Sequence, residues 1–355
     1  MPQIISDPDA VTPAWLSEVL AHAGIHASVS SFTAEHIGTG QVGDNVRFRL
    51  RYTPGSISGP RSIIGKFASQ DPVSRETGKA RNTYIKEVRF YRELQPTVDI
   101  RTPRPLFAAI EPEAQDFCIM MEDLYPARQG DQISGCLLPE ATLAVVELAG
   151  LHAPYWNDPR LETLAWLEPP DRESAEFGEA LYNQLLPAFT ERYAHRLSDA
   201  HFGVARRFGE CFMSWSLDYD GPVSITHGDY RLDNMLFGGS YPLTVVDWQT
   251  PSIGAPASDL SYFIGAGLKT GSRQLHERDL VAAYHGALID KGVCDYTFDA
   301  CWLHYRRYAY SGLLMAVVAS MIVGQTDRGD DMFMAMARRH AQQVLDLESE
   351  SLIQR

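Results

Sequence analysis

Three polar residues stand at a spacing that suits the transfer of a phosphoryl group. In Ile225-Thr226-His227-Gly228-Asp229-Tyr230-Arg231-Leu232-Asp233-Asn234-Met235-Leu236-Phe237, Asp229 lies in a polar loop and Asn234 opens an apolar run. A second apolar run, Leu243 to Val246, ends in Asp247-Trp248. Between the runs, Gly238-Gly239-Ser240 has the composition of a hairpin turn. Opposed residues of an antiparallel hairpin share a constant number sum, so pairing Phe237 with Thr244 also sets Asn234 opposite Asp247. An amide oxygen beside a carboxylate suits Mg²⁺, which takes hard oxygen ligands and shares them with phosphates. Asp229 sits upstream, in the loop feeding the hairpin, where it can address a substrate hydroxyl. A base and two metal ligands meet the main demands of phosphoryl transfer, which are alignment and charge neutralisation.

Other elements must position these groups. Gly38-Thr39-Gly40-Gln41-Val42-Gly43 is a full G-x-G-x-x-G, a string that dinucleotide-binding folds place before a helix. Here Val46, Phe48, Leu50 and Tyr52 alternate with Arg47, Arg49 and Arg51, so a strand is expected after Gly43. A glycine loop between strands can fold its backbone amides over phosphates. Ser62 to Ala68 reads as a strand with Lys66 inside it, and a lysine there needs an anionic partner. The predicted helix 81–94 offers one. Tyr84, Val88 and Tyr91 define its apolar stripe, Glu87 falls on that stripe, and Glu93 faces water with Lys86 and Arg89. Phe117 to Leu124 is a further apolar strand, followed by a polar stretch to Gln132. From Pro139 the chain turns helical, first to about His152, which reads as a packed structural histidine. Two amphipathic helices follow in 176–215, and helices resume after 257, the last over about 330–350 with its methionines as core filler. A short helix is expected over 14–23.

Composition narrows the class. The 355 residues are 45% hydrophobic and 21% charged, ordinary for a globular protein, and too many for one typical core. Residues 1–121 carry 13 Lys/Arg and 13 Asp/Glu, so the whole net charge of −14 falls in 122–355. Nucleic-acid binding, which needs a basic surface, is not expected. The acidic half suits either a cationic substrate or simple solubility. Met1 to Pro13 has no Lys or Arg and does not read as a secretory signal. The longest apolar run, Gly312 to Gly324, is too short to span a bilayer and reads as a buried helix. Five cysteines without a Cys-x-x-Cys pair point to reduced thiols and a cytoplasmic location.

His227-Gly228-Asp229, four residues, Asn234, a hydrophobic strand and Asp247-Trp248 together resemble the aminoglycoside phosphotransferase-like family of small-molecule kinases. Within it the motifs look closest to the acyl-CoA-dehydrogenase-associated and ecdysteroid-kinase-like members. The resemblance implies an α+β, bilobal protein-kinase-like fold. Residues 1–121 would form an N-terminal antiparallel-sheet lobe with one key helix, 122–131 a hinge, and 132–355 a larger, mostly helical lobe. It also implies ATP and Mg²⁺ as cofactors and a small-molecule hydroxyl as acceptor. Gly38, Gly40 and Gly43 would cover the phosphates, and Lys66, fixed by Glu87, would hold them. Met121 would line the adenine pocket, with the backbones of Glu122 and Leu124 at the adenine edge. Asn234 and Asp247 would hold the metal, and Asp229 would accept or orient the hydroxyl proton. Arg231 would either stabilise charge developing on the transferred group or pair with Asp233 at the surface. His227 and Asp259 would brace the loop, Asp259 also capping its helix.

Only twelve positions separate Asp247 from Asp259, which leaves no room for the long activation segment of a protein kinase. The motifs favour a hydroxyacyl, sterol-like or other lipid-like acceptor; the acidic second half favours an aminoglycoside, another antibiotic or a choline-like amine. A nucleotide-binding pseudokinase is the alternative of a different class, disfavoured because Lys66, Glu87, Asp229, Asn234 and Asp247 are all intact. A Rossmann oxidoreductase would require a helix after Gly43.

Overall fold

The computed structural model describes residues 1–38, 43–57, 59–113, 115–167, 169 and 171–353. The chain divides into two compact units. The first comprises Met1–Thr97, Thr102–Ala127 and Thr244–Thr250; the second comprises Val98–Arg101, Arg128–Leu243 and Pro251–Arg355.

In the first unit, α1 (Pro13–His22) begins where the Thr12 hydroxyl accepts the Trp15 N–H and Pro13 supplies a preset φ. Then come β1 (Val29–Ile37), β2 (Gly43–Tyr52), β3 (Ser62–Ala68), α2 (Pro72–Ala80), α3 (Thr83–Arg89), β4 (Pro105–Ile110) and β5 (Phe117–Glu122). The strands form one antiparallel sheet in the order β1-β2-β3-β5-β4. As the alternation in β2 requires, Val46, Phe48 and Leu50 are buried while Arg49 and Arg51 are exposed. These three pack with Ile63 and Phe67 of β3 and with Trp15, Leu16, Val19 and Leu20 of α1. Lys66 alternates with Phe67, so it projects from the other face of a central strand. The residue after Gly43 continues a strand, not a helix, which removes the dinucleotide-binding reading.

The helix expected over 81–94 is two pieces, and a separate helix, α2, precedes it. Asp71 accepts the Ser74 N–H and Pro72 takes the first helical position, starting α2, which the apolar periodicity did not reveal. Asn82 then turns left-handed (φ 55°) and breaks the helix before α3. Beyond Arg89 the backbone widens into a π turn over Phe90–Leu94. The inward direction of Glu87 survives, and Glu93 is bonded to Arg89 on the exposed side.

The second unit contains β6 (Arg128–Gln129), α4 (Leu138–His152), α5 (Arg172–Arg192), α6 (Asp199–Leu217), β7 (Ser224–Thr226) and β8 (Met235–Phe237). Strand β9 (Leu243–Val245) gives its last two residues to the first unit. Then follow β10 (Ser252–Gly254), α7 (Pro256–Gly267), α8 (Thr270–Asp290), α9 (Phe298–Arg307), α10 (Ser311–Ile322) and α11 (Asp327–Asp346). Helix α10 holds most of the apolar run, with Leu313, Ala316 and Val317 buried, and among the described residues no helix is long and apolar enough to cross a membrane. Met332, Met334 and Met336 of α11 are buried, as core filler should be.

Two short pairings shape the loop that carries Asp229. β7 pairs antiparallel with β10 (Ile225 opposite Ile253), which brings the start of α7 beside the residues leaving β7. β6 pairs with β8 (Arg128 opposite Phe237), which fixes the far end of the loop. After β8 the chain reverses through Gly238 and Gly239, both left-handed (φ 81° and 77°), and the Gly238 N–H donates to Pro242 O at 3.0 Å. Only glycine enters that region twice in succession without strain.

Candidate active site

The site residues read from the sequence fall into two groups, one in each unit. In the first unit a buried lysine stands between two carboxylates. Lys66 Nζ lies 2.7 Å from Glu87 Oε1 and 2.7 Å from Asp247 Oδ1. Burial works against the ammonium, but Asp247 and then Glu87 outweigh it, and the Lys66 pKa is raised. Burial also pushes the Glu87 carboxyl above its ordinary range, against the pull of Lys66. Asp247 occupies the left-handed region (φ 66°), a conformation that persists in a non-glycine residue only when its surroundings enforce it. Lys66 holds its side chain, and its neighbour is packed as well. Trp248 stacks on Phe90, ring centroids 3.8 Å apart and planes within 2°, and its indole N–H donates to Val245 O. Phe90 continues the helix that bears Glu87, so both carboxylates around Lys66 are set by one packed corner. Sequence reasoning gave Trp248 no role, although it stands in the Asp-Trp pair.

Around this trio, Gly43 packs against the lysine stem: a Cβ there would lie 3.4 Å from Lys66 Cε and 3.2 Å from Phe67 O. Gly38 is left-handed (φ 76°), and Gly40 lies outside the described residues. Met121 is buried on β5 opposite Ile64. The Glu122 N–H donates to Arg104 O at 3.0 Å. Leu124 is buried and its carbonyl accepts the Ala127 N–H. Asp123, which the sequence did not single out, accepts from Arg47, Ser62 and the Tyr125 N–H and ties this segment to β2 and β3.

In the second unit the central group is a carboxylate among donors. Arg231 Nε lies 3.0 Å from both oxygens of Asp229, Asn234 Nδ2 lies 2.9 Å from Oδ2, and the Tyr262 hydroxyl donates to Oδ1 at 2.8 Å. Asn234 also donates to Asp229 O at 2.9 Å, so its amide nitrogen is committed and its oxygen is the atom suited to a hard cation. Arg231 does pair with Asp233, at 2.8 Å, but it is largely buried rather than at the surface and it binds Asp229 as well. Burial disfavours that guanidinium, but Asp229, Tyr262 and Asp233 outweigh it and raise its pKa. Asp233 in turn accepts the Gln132 N–H, and Gln132 Oε1 accepts the Leu232 N–H. Tyr262 was not marked in the sequence; its place one helical turn beyond Asp259 was the available signal.

Asp259 is not the cap of α7, since Ala255 holds that position without a side-chain bond. Instead its carboxylate accepts the His227 N–H (2.6 Å) and the Gly228 N–H (3.0 Å), and buried His152 Nε2 lies 3.4 Å away. His227, fully buried, accepts the Asp229 N–H on Nδ1 at 3.2 Å. The three backbone N–H groups from His227 to Asp229 thus all have side-chain acceptors.

Comparison with known proteins gives this geometry a family. Acyl-CoA dehydrogenase family member 11 of Homo sapiens is 30% identical over 115 residues, 29% of this chain. The match spans only 14% of that relative. Among solved structures, choline kinase from Cryptosporidium parvum Iowa II superposes with a TM-score of 0.56 at 8% identity, over 90% of each chain. Spectinomycin phosphotransferase APH(9)-Ia, solved with ADP and spectinomycin, gives a TM-score of 0.50 at 14% identity, over 96% of this chain and 99% of its own. At such identities these two establish the fold, and the expected α+β kinase-like architecture is borne out. The ecdysteroid kinase-like family model matches residues 45–292, a span that includes Lys66, Glu87, Asp229, Asn234, Asp247 and Asp259. The resemblance read from the motifs therefore holds, and the chain belongs to the ecdysteroid kinase-like family of small-molecule kinases.

Proposed function

We propose that this chain is an ATP- and Mg²⁺-dependent phosphotransferase that moves the γ-phosphate to a hydroxyl of a lipid-like small molecule, such as a hydroxyacyl or sterol-like metabolite. The observation that carries the reading is Lys66, a buried ammonium held at 2.7 Å by both Glu87 and Asp247 in a chain matched to a kinase family. An ammonium so anchored is suited to phosphate oxygens. Gly38, Gly40 and Gly43 belong over the phosphates, Met121 with the Glu122 and Leu124 backbones at the adenine. Asn234 and Asp247 offer an amide oxygen and a carboxylate, hard donors that suit Mg²⁺ when phosphates supply further ligands. When bound, the ion neutralises phosphate charge. Asp229 orients the acceptor hydroxyl and takes its proton. Arg231, shared between Asp229 and Asp233, keeps that carboxylate in place and adds positive charge beside it. His227 and Asp259 brace the loop. The lipid-like acceptor follows the motif kinship with the family and with the acyl-CoA dehydrogenase relative.

A cationic acceptor, an aminoglycoside or choline-like amine, is favoured by one observation, the −14 charge confined to 122–355. Nucleotide consumption across hydroxyacyl-CoA esters, sterols, choline-like amines and aminoglycosides separates the two. Turnover with amines alone would reverse the substrate assignment. The metal assignment has its own test. Asp247→Ala is expected to weaken Mg-ATP binding by about tenfold or more, since even the outer-shell partners of metal ligands contribute that much; unchanged affinity would remove Asp247 from the metal.

A further inference from the structure

A carboxylate that must present one oxygen to an alcohol has one soft torsion, the rotation of its plane about the last side-chain bond. In Asp229 that torsion is constrained from two sides. Asn234 Nδ2 donates to Oδ2 from within the loop, and the Tyr262 hydroxyl donates to Oδ1 from α7, each within 2.9 Å. Arg231 does not fix the plane by itself, because its Nε sits 3.0 Å from both oxygens and tolerates rotation. We infer that Tyr262 is a positioning residue, whose hydroxyl sets the orientation in which Asp229 meets the acceptor.

The rest of its surroundings fit that role. Tyr262 is 4% exposed, and its ring lies nearly parallel to His340 of α11, centroids 5.8 Å apart. Phenylalanine would fill the same space, so packing alone does not call for the hydroxyl. Helix α7 also carries Asp259, which holds the His227 and Gly228 amides. One rigid element therefore sets both the backbone before Asp229 and the plane of its side chain. Burial, and then the neighbouring Asp229, raise the Tyr262 pKa well above the ordinary tyrosine value and keep the hydroxyl a donor.

This inference rests on the catalytic reading of Asp229, and the test separates the two. Turnover of Mg-ATP with water as acceptor, Mg-ATP affinity by calorimetry and Tm would be measured for the native chain, Tyr262→Phe, Asp229→Asn and the double variant. Loss of a hydrogen bond to a charged group predicts a fall in kcat of about 10- to 100-fold for Tyr262→Phe. Its KM for Mg-ATP and its Tm should stay at the native values. In the Asp229→Asn background the same change should have little further effect, because Tyr262 acts through that carboxylate. Native kcat in Tyr262→Phe overturns the inference. So does an equal loss in both backgrounds, or a loss that tracks Tm or nucleotide affinity, since either assigns the hydroxyl to general structure. If the native chain binds no Mg-ATP, the phosphotransferase reading itself falls, and this inference with it.

Discussion

The two groups of site residues solve opposite electrostatic problems. In the first unit a cation is buried between anions: Lys66 is held by Glu87 and Asp247, and the trio is kept in place by apolar packing, above all Trp248 on Phe90. In the second unit an anion is surrounded by donors: Asp229 is held by Arg231, Asn234 and Tyr262, and its loop is fixed by backbone hydrogen bonds to Asp259. The first arrangement suits a group that binds charge already present in a substrate. The second suits a group that must hold one orientation while a proton leaves its partner. The difference teaches that affinity and turnover should be separable here by substitution.

The largest expected effect tests the second group. Asp229→Ala should lower ATP-dependent phosphorylation by roughly 10²- to 10⁴-fold, the usual contribution of a general base, with Mg-ATP affinity preserved. Equal losses in kcat and affinity would erase the division between the groups. In the first group, Lys66→Met leaves Glu87 and Asp247 without their cation. Breaking a buried pair on one side costs about 3 kcal/mol, which urea denaturation would register at pH 8. That cost should shrink as pH falls toward the carboxylate range. A buried carboxyl with a raised pKa binds its proton more tightly folded than unfolded, so stability falls as pH rises through that range. Mg-ATP affinity should fall with it.

An effect of similar size but opposite sign in pH belongs to the second unit. His340, fully buried beneath Tyr262, has its pKa lowered by burial to about 4. The unfolded chain takes the proton from about pH 6.5 and the folded one does not, so stability is complete above that pH and declines below it. The loss should reach about 3 kcal/mol at pH 4. His340→Gln should flatten that acid limb in urea melts without altering the alkaline behaviour of Lys66→Met. A common limb in both variants would show that the two units do not respond independently.

Much of this was legible before any coordinates. The alternation of β2 and the turn glycines 238 and 239 were local signals that tertiary structure had no reason to override. Glu87 was separable from Glu93 by helical spacing alone, and the 2.7 Å contact with Lys66 agrees. The helix around it was less legible. Its left-handed break at Asn82 and its π turn at Phe90 answer to packing, and α2 declared itself only through the Asp71-Pro72 cap. The family resemblance implied that Asp259 would brace the loop and also cap its helix, and only the cap is absent. Its true partners, two amides of a loop some thirty positions earlier, depend on the pairing of β7 with β10, strands of three residues each and too short for periodicity to reveal.

The sequence by itself determined which residue types stand at which intervals: an aspartate, an asparagine and an aspartate around a glycine turn, a lysine in an apolar strand, and a glutamate on the apolar stripe of a helix. Such features need only local geometry, because strand and helix periods are properties of the backbone. Tertiary structure decided the rest. That Tyr262 reaches Asp229 from α7, and that Trp248 beside the left-handed Asp247 stacks on Phe90, are contacts between distant segments. No period encodes them, since they exist only once the chain has closed upon itself and each buried polar group has had to find a partner.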